Sequence, residues 1–413
     1  MAINNHHHEP KILQKSSNEV SEELLAGTSR SSSRFLLFCL VLMGLTGLGV
    51  VGFFMRLQDG FSHHTPWAYL AAAFAFILTT SMSAPLVAIA PRLAKAHFGR
   101  PVSRIAELWA VAGLLQLLIL IPLILSLPGA EGRSTFWFTN LYREGWPPGT
   151  PHTWLVLSVV FLVLNGLALL WVAAIPDFAV GREKSSGLKG SIYRLLSLNW
   201  SGSKAQWTRL RNRVGILGAF YFMFLVTVHT FVSFDFAQSL VPGWRDSIFP
   251  TWHALSGIQG AVASTLVTAF VLRTFGGMKE YIGLNQFWSL GKLLLALSLL
   301  WAYFWWSGFI VFWYGKTETE QNLLQLLMFG SYRPLFLASF GLCFLIPLLS
   351  LVWNPIRKSI LGPTVIATGV LIGTFLDRVR VYVASYSVGE VKGAYLEHVP
   401  AVLKPELADI FRI

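Results

Sequence analysis

Apolar runs of about 20 residues, separated by short polar stretches, recur from residue 35 almost to the end of the 413-residue chain. Wound as a helix, such a run crosses roughly 30 Å of hydrocarbon. Nine stand out, at 35–55, 67–90, 105–127, 154–175, 214–236, 251–272, 293–313, 335–352 and 360–376. The pattern predicts an all-α integral membrane protein of about nine transmembrane helices. The ten-residue alternation that a membrane barrel requires does not occur. Residues 1–34 are polar and Ser-rich and predict a disordered tail. The first run begins only at Phe35 and is a full span, so it reads as a membrane helix and not a signal peptide. The last segment, 388–413, contains Pro400 and Pro405 and no further apolar run, so it is expected to lie on the outer surface or dock onto a partner.

Composition agrees with the pattern. With 54% hydrophobic and 13% charged residues and a mean hydropathy of +0.57, the chain cannot present an ordinary polar surface to water. The net charge of +12 would suit nucleic acid, but the basic residues fall in loops between the runs, where headgroups and the insertion rule account for them. No nucleic-acid partner is expected. Of the 32 Lys and Arg, 20 lie on the side of the N-terminus when loops are taken alternately. This predicts a cytoplasmic N-terminus and, after an odd number of spans, an outer C-terminus. Cys39 and Cys343 sit inside apolar runs without CxxC or Cys/His spacing, so no metal centre or covalent haem is identified. His6 to His8 in the tail read as solvated before they read as a metal site.

The candidate chemistry gathers around residues 228–250, VHTFVSFDFAQSLVPGWRDSIFP, with His229, Asp235 and, just beyond, His253. Ionisable groups in such surroundings are rarely without a role. Helical rise puts His229 about 22 Å and Asp235 about 31 Å from Val214, and Asp377 about 26 Å from Ile360, all near the outer face. Asp377 and Arg380, three apart, are expected to pair on one helix face, with Arg378 pointing elsewhere and suiting Asp235. Two readings of His229 stand side by side: a core histidine satisfied by a hydroxyl such as Ser233, or a group that handles protons or faces a quinone. Deeper polar residues form a sparse string of Glu107, Gln116, Asn165, Thr79 to Ser81, Ser83 and Gln259, each of which reads singly as packing before transport. The proton-path candidates are therefore Glu107, Gln116, Asn165, His229, Asp235, Asp377 and Arg378; the quinone-facing candidates are His229, His253 and Asp235. No catalytic residue is identified. Lys292 is expected to snorkel. Trp67, Trp154, Trp244, Trp252, Trp313 and Tyr314 fall at span ends as interfacial aromatics do, and the run Trp301, Tyr303, Phe304, Trp305, Trp306 reads as packing and lipid contact.

Several stretches together resemble the NrfD/polysulfide-reductase membrane-subunit family: RIAEL (104–108), IPDFA (175–179), LNWSGSKAQW (198–207), the 228–250 stretch, 292–315, and GTFLDRVRVYVASYS (373–387). The closest likeness is to the two such subunits of alternative complex III, ActC and ActF. The resemblance implies two four-helix bundles, 67–240 and 241–387, with a peripheral first helix and loop at 35–66. It implies no covalently bound cofactor, a possible menaquinone or menaquinol, and a bacterial cell membrane. The partners it implies are an iron-sulfur protein, multihaem cytochrome c subunits and a sister NrfD-like subunit, which carry the clusters and c-type haems. In the quinone-binding sister a His-Ala-Gly turn stands where this chain reads Thr79-Thr80-Ser81-Met82, and the usual last helix is missing here. Both departures favour an ActF-like subunit that supports assembly and proton translocation, with direct quinol oxidation as the alternative. A stand-alone transporter is the third class, and no pair of Gly/Pro-broken helices in matching positions supports it.

Overall fold

The computed structural model describes residues 16, 19, 20, 22, 23, 33–94, 100–128, 152–389 and 396–410; the His6 to His8 triplet and most of the 1–34 tail lie outside them. The described residues are all helical, without strands. In chain order the helices are α1 (Ser33–Leu57), α2 (Ala68–Thr79), α3 (Leu86–Leu93), α4 (Arg100–Leu108), α5 (Gly113–Ser126), α6 (Thr153–Lys184), α7 (Gly187–Leu196), α8 (Lys204–Asp235), α9 (Phe249–Thr274), α10 (Leu284–Gly315), α11 (Glu318–Leu324), α12 (Arg333–Phe340), α13 (Ile346–Leu351), α14 (Leu361–Arg378) and α15 (Leu407–Ile410).

Among the described residues, seven segments are long and apolar enough to cross a membrane: Phe35–Leu57, Val102–Ser126, Thr153–Lys184, Lys204–Leu240, Phe249–Thr274, Leu284–Gly315 and Arg333–Leu351. Each coincides with one of the nine expected runs. The other two runs are also helical but are not simple apolar rods. The second is short, Thr65–Thr79, and is interrupted before α3 resumes it. The ninth, α14, passes into a π-helical turn, Val379–Val383, and carries buried Asp377, Arg378 and Arg380 near its end.

The interruption at 80–85 has a local cause. The hydroxyls of Thr79 and Thr80 donate back to the carbonyls of Ala75 and Phe76, Ser83 Oγ donates to Leu78 O at 2.8 Å, and Pro85 brings no N–H. Backbone groups released in a membrane need partners. Met82 N donates to Ile77 O, and Tyr221 OH from α8 donates to Met82 O.

α2 packs on α5, α5 on α6 and α6 on α8, while α9 packs on α10 and α14, with α12 and α13 joined to α14. α9 also lies against α2 and α8, so it joins the two groups and is the most enclosed of the long spans. Its small residues permit this. A Cβ on Gly260 would come 2.3 Å from Thr79 O, and one on Gly257 would come 2.6 Å from His229 Nε2.

α1 is exposed along most of its length and meets the rest of the protein near its C-terminal end, where Phe53 packs edge-on to Trp67 at 6.5 Å. There Arg56 pairs with Asp59 (2.8 Å), Glu406 (2.8 Å) and Asp409 (2.6 Å). Segment 396–410, expected on the surface or on a partner, is strapped to the protein's own helices: Tyr69 OH donates to Leu403 O at 2.9 Å and Asn322 Nδ2 to Leu396 O at 2.8 Å.

Three tryptophans expected at the interface are instead core residues. Trp67, Trp244 and Trp252 are buried, because span ends here are roofed by loop and strap, whereas Trp154, Trp313 and Tyr314 are exposed. In the aromatic run Trp301 is buried, Tyr303 and Trp306 face outward, and Trp305 stacks on Phe309 and Phe336. Lys292 is exposed, with its ammonium 4.3 Å from the Trp288 ring.

Candidate functional site

Four spans meet where α2 breaks. His229 comes from the last third of α8, His253 from the second turn of α9, Tyr382 from the π-turn after α14, and Ser83 from the break itself. All four are buried, at most 1% exposed. His229 Nδ1 lies 2.7 Å from His253 Nδ1, His253 Nε2 lies 2.8 Å from the Tyr382 hydroxyl, and His229 Nε2 lies 3.3 Å from Ser83 Oγ.

The network assigns its own tautomers. Ser83 spends its one proton on Leu78 O, so its oxygen accepts from His229 Nε2–H. A neutral His229 then presents Nδ1 as an acceptor, to which His253 Nδ1–H donates. His253 Nε2 is left as an acceptor for the Tyr382 O–H. Every donor therefore points the same way, from Tyr382 through His253 and His229 to Ser83.

The Ser233 expected to satisfy His229 does not do so. Ser233 Oγ donates to Thr230 O at 2.8 Å, and the histidine turns to the broken helix and to α9 instead. A side chain on the same helix can always bond its own backbone, which leaves the ring to its tertiary partners.

Beside the chain lies a second polar group. Asp377 Oδ1 accepts from Arg380 Nη2 at 2.6 Å, the pairing expected from their spacing, while Arg380 Nη1 donates to Leu327 O at 2.7 Å. Arg378 is fully buried, its Nη1 3.6 Å from Asp377 Oδ2 and its guanidinium 6.0 Å from the Trp252 ring centre. Asp235 is buried at the end of α8. Arg380 also lines an open cleft walled by Trp244, Phe249, Trp252, Trp305 and Phe309. At its rim, outside the spans, Asp246 Oδ1 accepts from the N–H groups of Ile248 and Phe249 where α9 begins. Burial pushes the Asp246 carboxyl above its ordinary value, and those two backbone bonds offset part of the rise.

The deeper candidates lie apart from this layer. Glu107 is buried between Arg92 and Arg104 (2.8 Å), and Arg104 reaches Asp177 at 3.0 Å, so these charges tie α3, α4 and α6 together. Gln116 Nε2 donates to Phe74 O at 3.1 Å and Asn165 Nδ2 to Leu217 O at 2.9 Å, each bonding the backbone of a neighbouring helix. Gln259 Nε2 bonds Ser298 Oγ and Cys343 O.

The sequence profile described as polysulphide reductase, NrfD matches residues 59–389. The chain belongs to the NrfD family. NrfD proteins are membrane subunits of quinone-linked oxidoreductases and work beside iron-sulfur and other redox subunits. No individual curated protein matches the chain.

That membership makes a quinone ring the group to test against the histidines. The packing does not fit one: His229 is enclosed by Ser83, His253 and the bare backbone of Gly257, with no space for even a methyl group beside Nε2. Tyr382, which completes this network, is not singled out by the sequence reading; the signal for it is its place four residues after Arg378, in the π-turn that continues α14.

Proposed function

We propose that the chain is an ActF-like, noncatalytic subunit of a menaquinol:cytochrome c type oxidoreductase, alternative complex III, and that it handles protons for that complex. Quinol oxidation then belongs to a sister NrfD-like subunit beside the iron-sulfur protein, with multihaem cytochromes c accepting electrons. The N-terminus lies in the bacterial cytoplasm and the His229 layer near the outer face of two joined four-helix bundles.

The observation that carries this reading is the sealed, one-way hydrogen-bonded chain Tyr382–His253–His229–Ser83. A proton can use it, and a quinone ring has no room at it. A proton arriving at the Tyr382 oxygen lets the phenol pass its own proton to His253 Nε2. His253 releases one from Nδ1 to His229 Nδ1, and His229 holds it as imidazolium, its Nε2–H still donating to Ser83, whose own proton stays directed at Leu78 O. Imidazole suits the task because each ring takes a proton on one nitrogen and gives one from the other. After the passage His253 carries its proton on Nε2 and His229 carries one on each nitrogen, so return along the same atoms restores the start. The chain favours a to-and-fro shuttle over a continuous wire.

Tyr382→Phe removes the first donor and keeps the ring. In the reconstituted complex it is expected to lower the proton-to-electron ratio while quinol oxidation continues; an unchanged ratio removes the chain from the mechanism. The rival reading, direct quinol oxidation at His229 or His253, requires a photoreactive quinone analogue to label residues around them. The proposal expects label on the sister subunit alone.

A further inference from the structure

A second set of buried polar atoms lies behind the histidine chain. Ser256 Oγ, Gln259 Oε1, Asp377 Oδ2 and all three guanidinium nitrogens of Arg378 have no hydrogen-bond partner among the described residues, and each of these side chains is at most 1% exposed. They share one neighbourhood. Trp252, whose ring faces Arg378, precedes Ser256 by four positions and Gln259 by seven, which is one face of α9. Gln259 Nε2 donates to Cys343 O, and Cys343 Sγ lies 3.9 Å from Thr374 Oγ1, one turn before Asp377 and Arg378. Both chains opposite α9 are wound as π-turns here, Gly341–Leu345 around Cys343 and Val379–Val383 directly after Arg378. Such turns recur at functional sites.

We infer that Arg378, Ser256, Gln259 and Asp377 hold a cluster of ordered water molecules inside the second bundle. The donor set selects water. Arg378 offers only N–H groups, Gln259 Oε1 and Asp377 Oδ2 only lone pairs, and Ser256 both, so the ligand must donate to some and accept from others. A quinone carbonyl would only accept, and a quinone or a lipid head would need an opening that these enclosed residues do not give. The inference deepens the proton-handling reading and rests on it for its role. Water on Arg378 is placed to supply the Tyr382 oxygen, four residues on. Asp377, bonded through Oδ1 to the Arg380 that lines the cleft, connects the cluster toward the protein surface.

Radiolytic hydroxyl labelling of the intact complex tests this, because bound water converts to radical beside the side chains it touches. Trp252 and Cys343 are expected to be oxidised several-fold faster than Trp67, a buried tryptophan whose indole N–H is already bonded to Gly60 O. Rates for Trp252 and Cys343 no higher than for Trp67 would overturn the cluster. In the double variant Ser256→Ala, Gln259→Leu, oxidation of Cys343 is expected to fall toward the Trp67 rate, and a rate held at the wild-type value would also overturn it. The readout is independent of proton stoichiometry. Fast labelling with an unchanged ratio in Tyr382→Phe would keep the water and reject the shuttle.

Discussion

At the scale of single residues, the site depends as much on side chains that are missing as on those present. Gly257 lets His229 approach α9, and Gly260 lets Thr79 O do so. Gly257→Ala would set a Cβ 2.6 Å from His229 Nε2 and 2.8 Å from Ser83 Oγ, displacing the ring from its partners. The expected cost is about 1–3 kcal/mol, read as a lower melting temperature of the solubilised complex, together with loss of the proton stoichiometry that Tyr382→Phe is expected to lose. Gly260→Ala meets a backbone carbonyl, which has less freedom to move than a ring, so its melting temperature is expected to fall further. Residue chemistry was partly legible in the chain itself. The pairing of Asp377 with Arg380 could be read from the helical turn. The His229–His253 contact could not, because it joins two helices through a crossing that only the glycines reveal.

Among the elements, the beginning of α9 is one whose stability responds to acid. Asp246 holds two backbone N–H groups there while its own carboxyl is pushed up by burial. A carboxyl raised in the folded state contributes stability that is complete below its unfolded value of about 3.9 and is lost as pH rises through the folded value. Asp246→Asn keeps the acceptor and removes the ionisation. Thermal melts should therefore show the wild type gaining on Asp246→Asn as pH falls from neutral toward about 4. Asp246→Ala, which loses the acceptor, should melt lower at every pH, by the equivalent of about 1 kcal/mol. Element positions were the most legible feature of the sequence, since length and apolarity fix where a span must lie. The interruption at 80–85 was hidden because its agents, Thr79, Thr80 and Ser83, are hydroxyls that also occur in unbroken membrane helices, and only Pro85 marks the place.

For the whole molecule, the foot of the first long helix and the last described segment close on one another. Arg56 at the foot of α1 is the common partner of Asp59, Glu406 and Asp409, and both Arg56 and Asp409 are buried. Removing one member of a buried pair strands the other, at a cost of about 3–5 kcal/mol. Arg56→Ala is thus expected to free segment 396–410, detected as faster cleavage after Glu406 by a glutamate-specific protease while the rest of the chain stays resistant. Equal cleavage rates in the variant and the wild type would show that Tyr69 and Asn322 hold the strap without the arginine. This closure joins residues about 350 positions apart. No periodicity announces such a contact, and the proline-punctuated tail reads as surface or as a segment that docks onto a partner.

The broken second span has one more consequence, and it is electrostatic. α2 stops at Thr79 inside the membrane, where its last carbonyls lie beside Ser83 and the histidines. A helix that ends carries roughly half a negative charge at its C-terminus, and burial among apolar helices leaves that charge weakly screened. An imidazolium formed for an instant on His229 therefore meets a counter-charge made of peptide dipoles, fixed in place and unable to take the proton away. An unbroken helix would cross the same depth with its dipole ends at the two membrane faces, and the passing charge would have no such support.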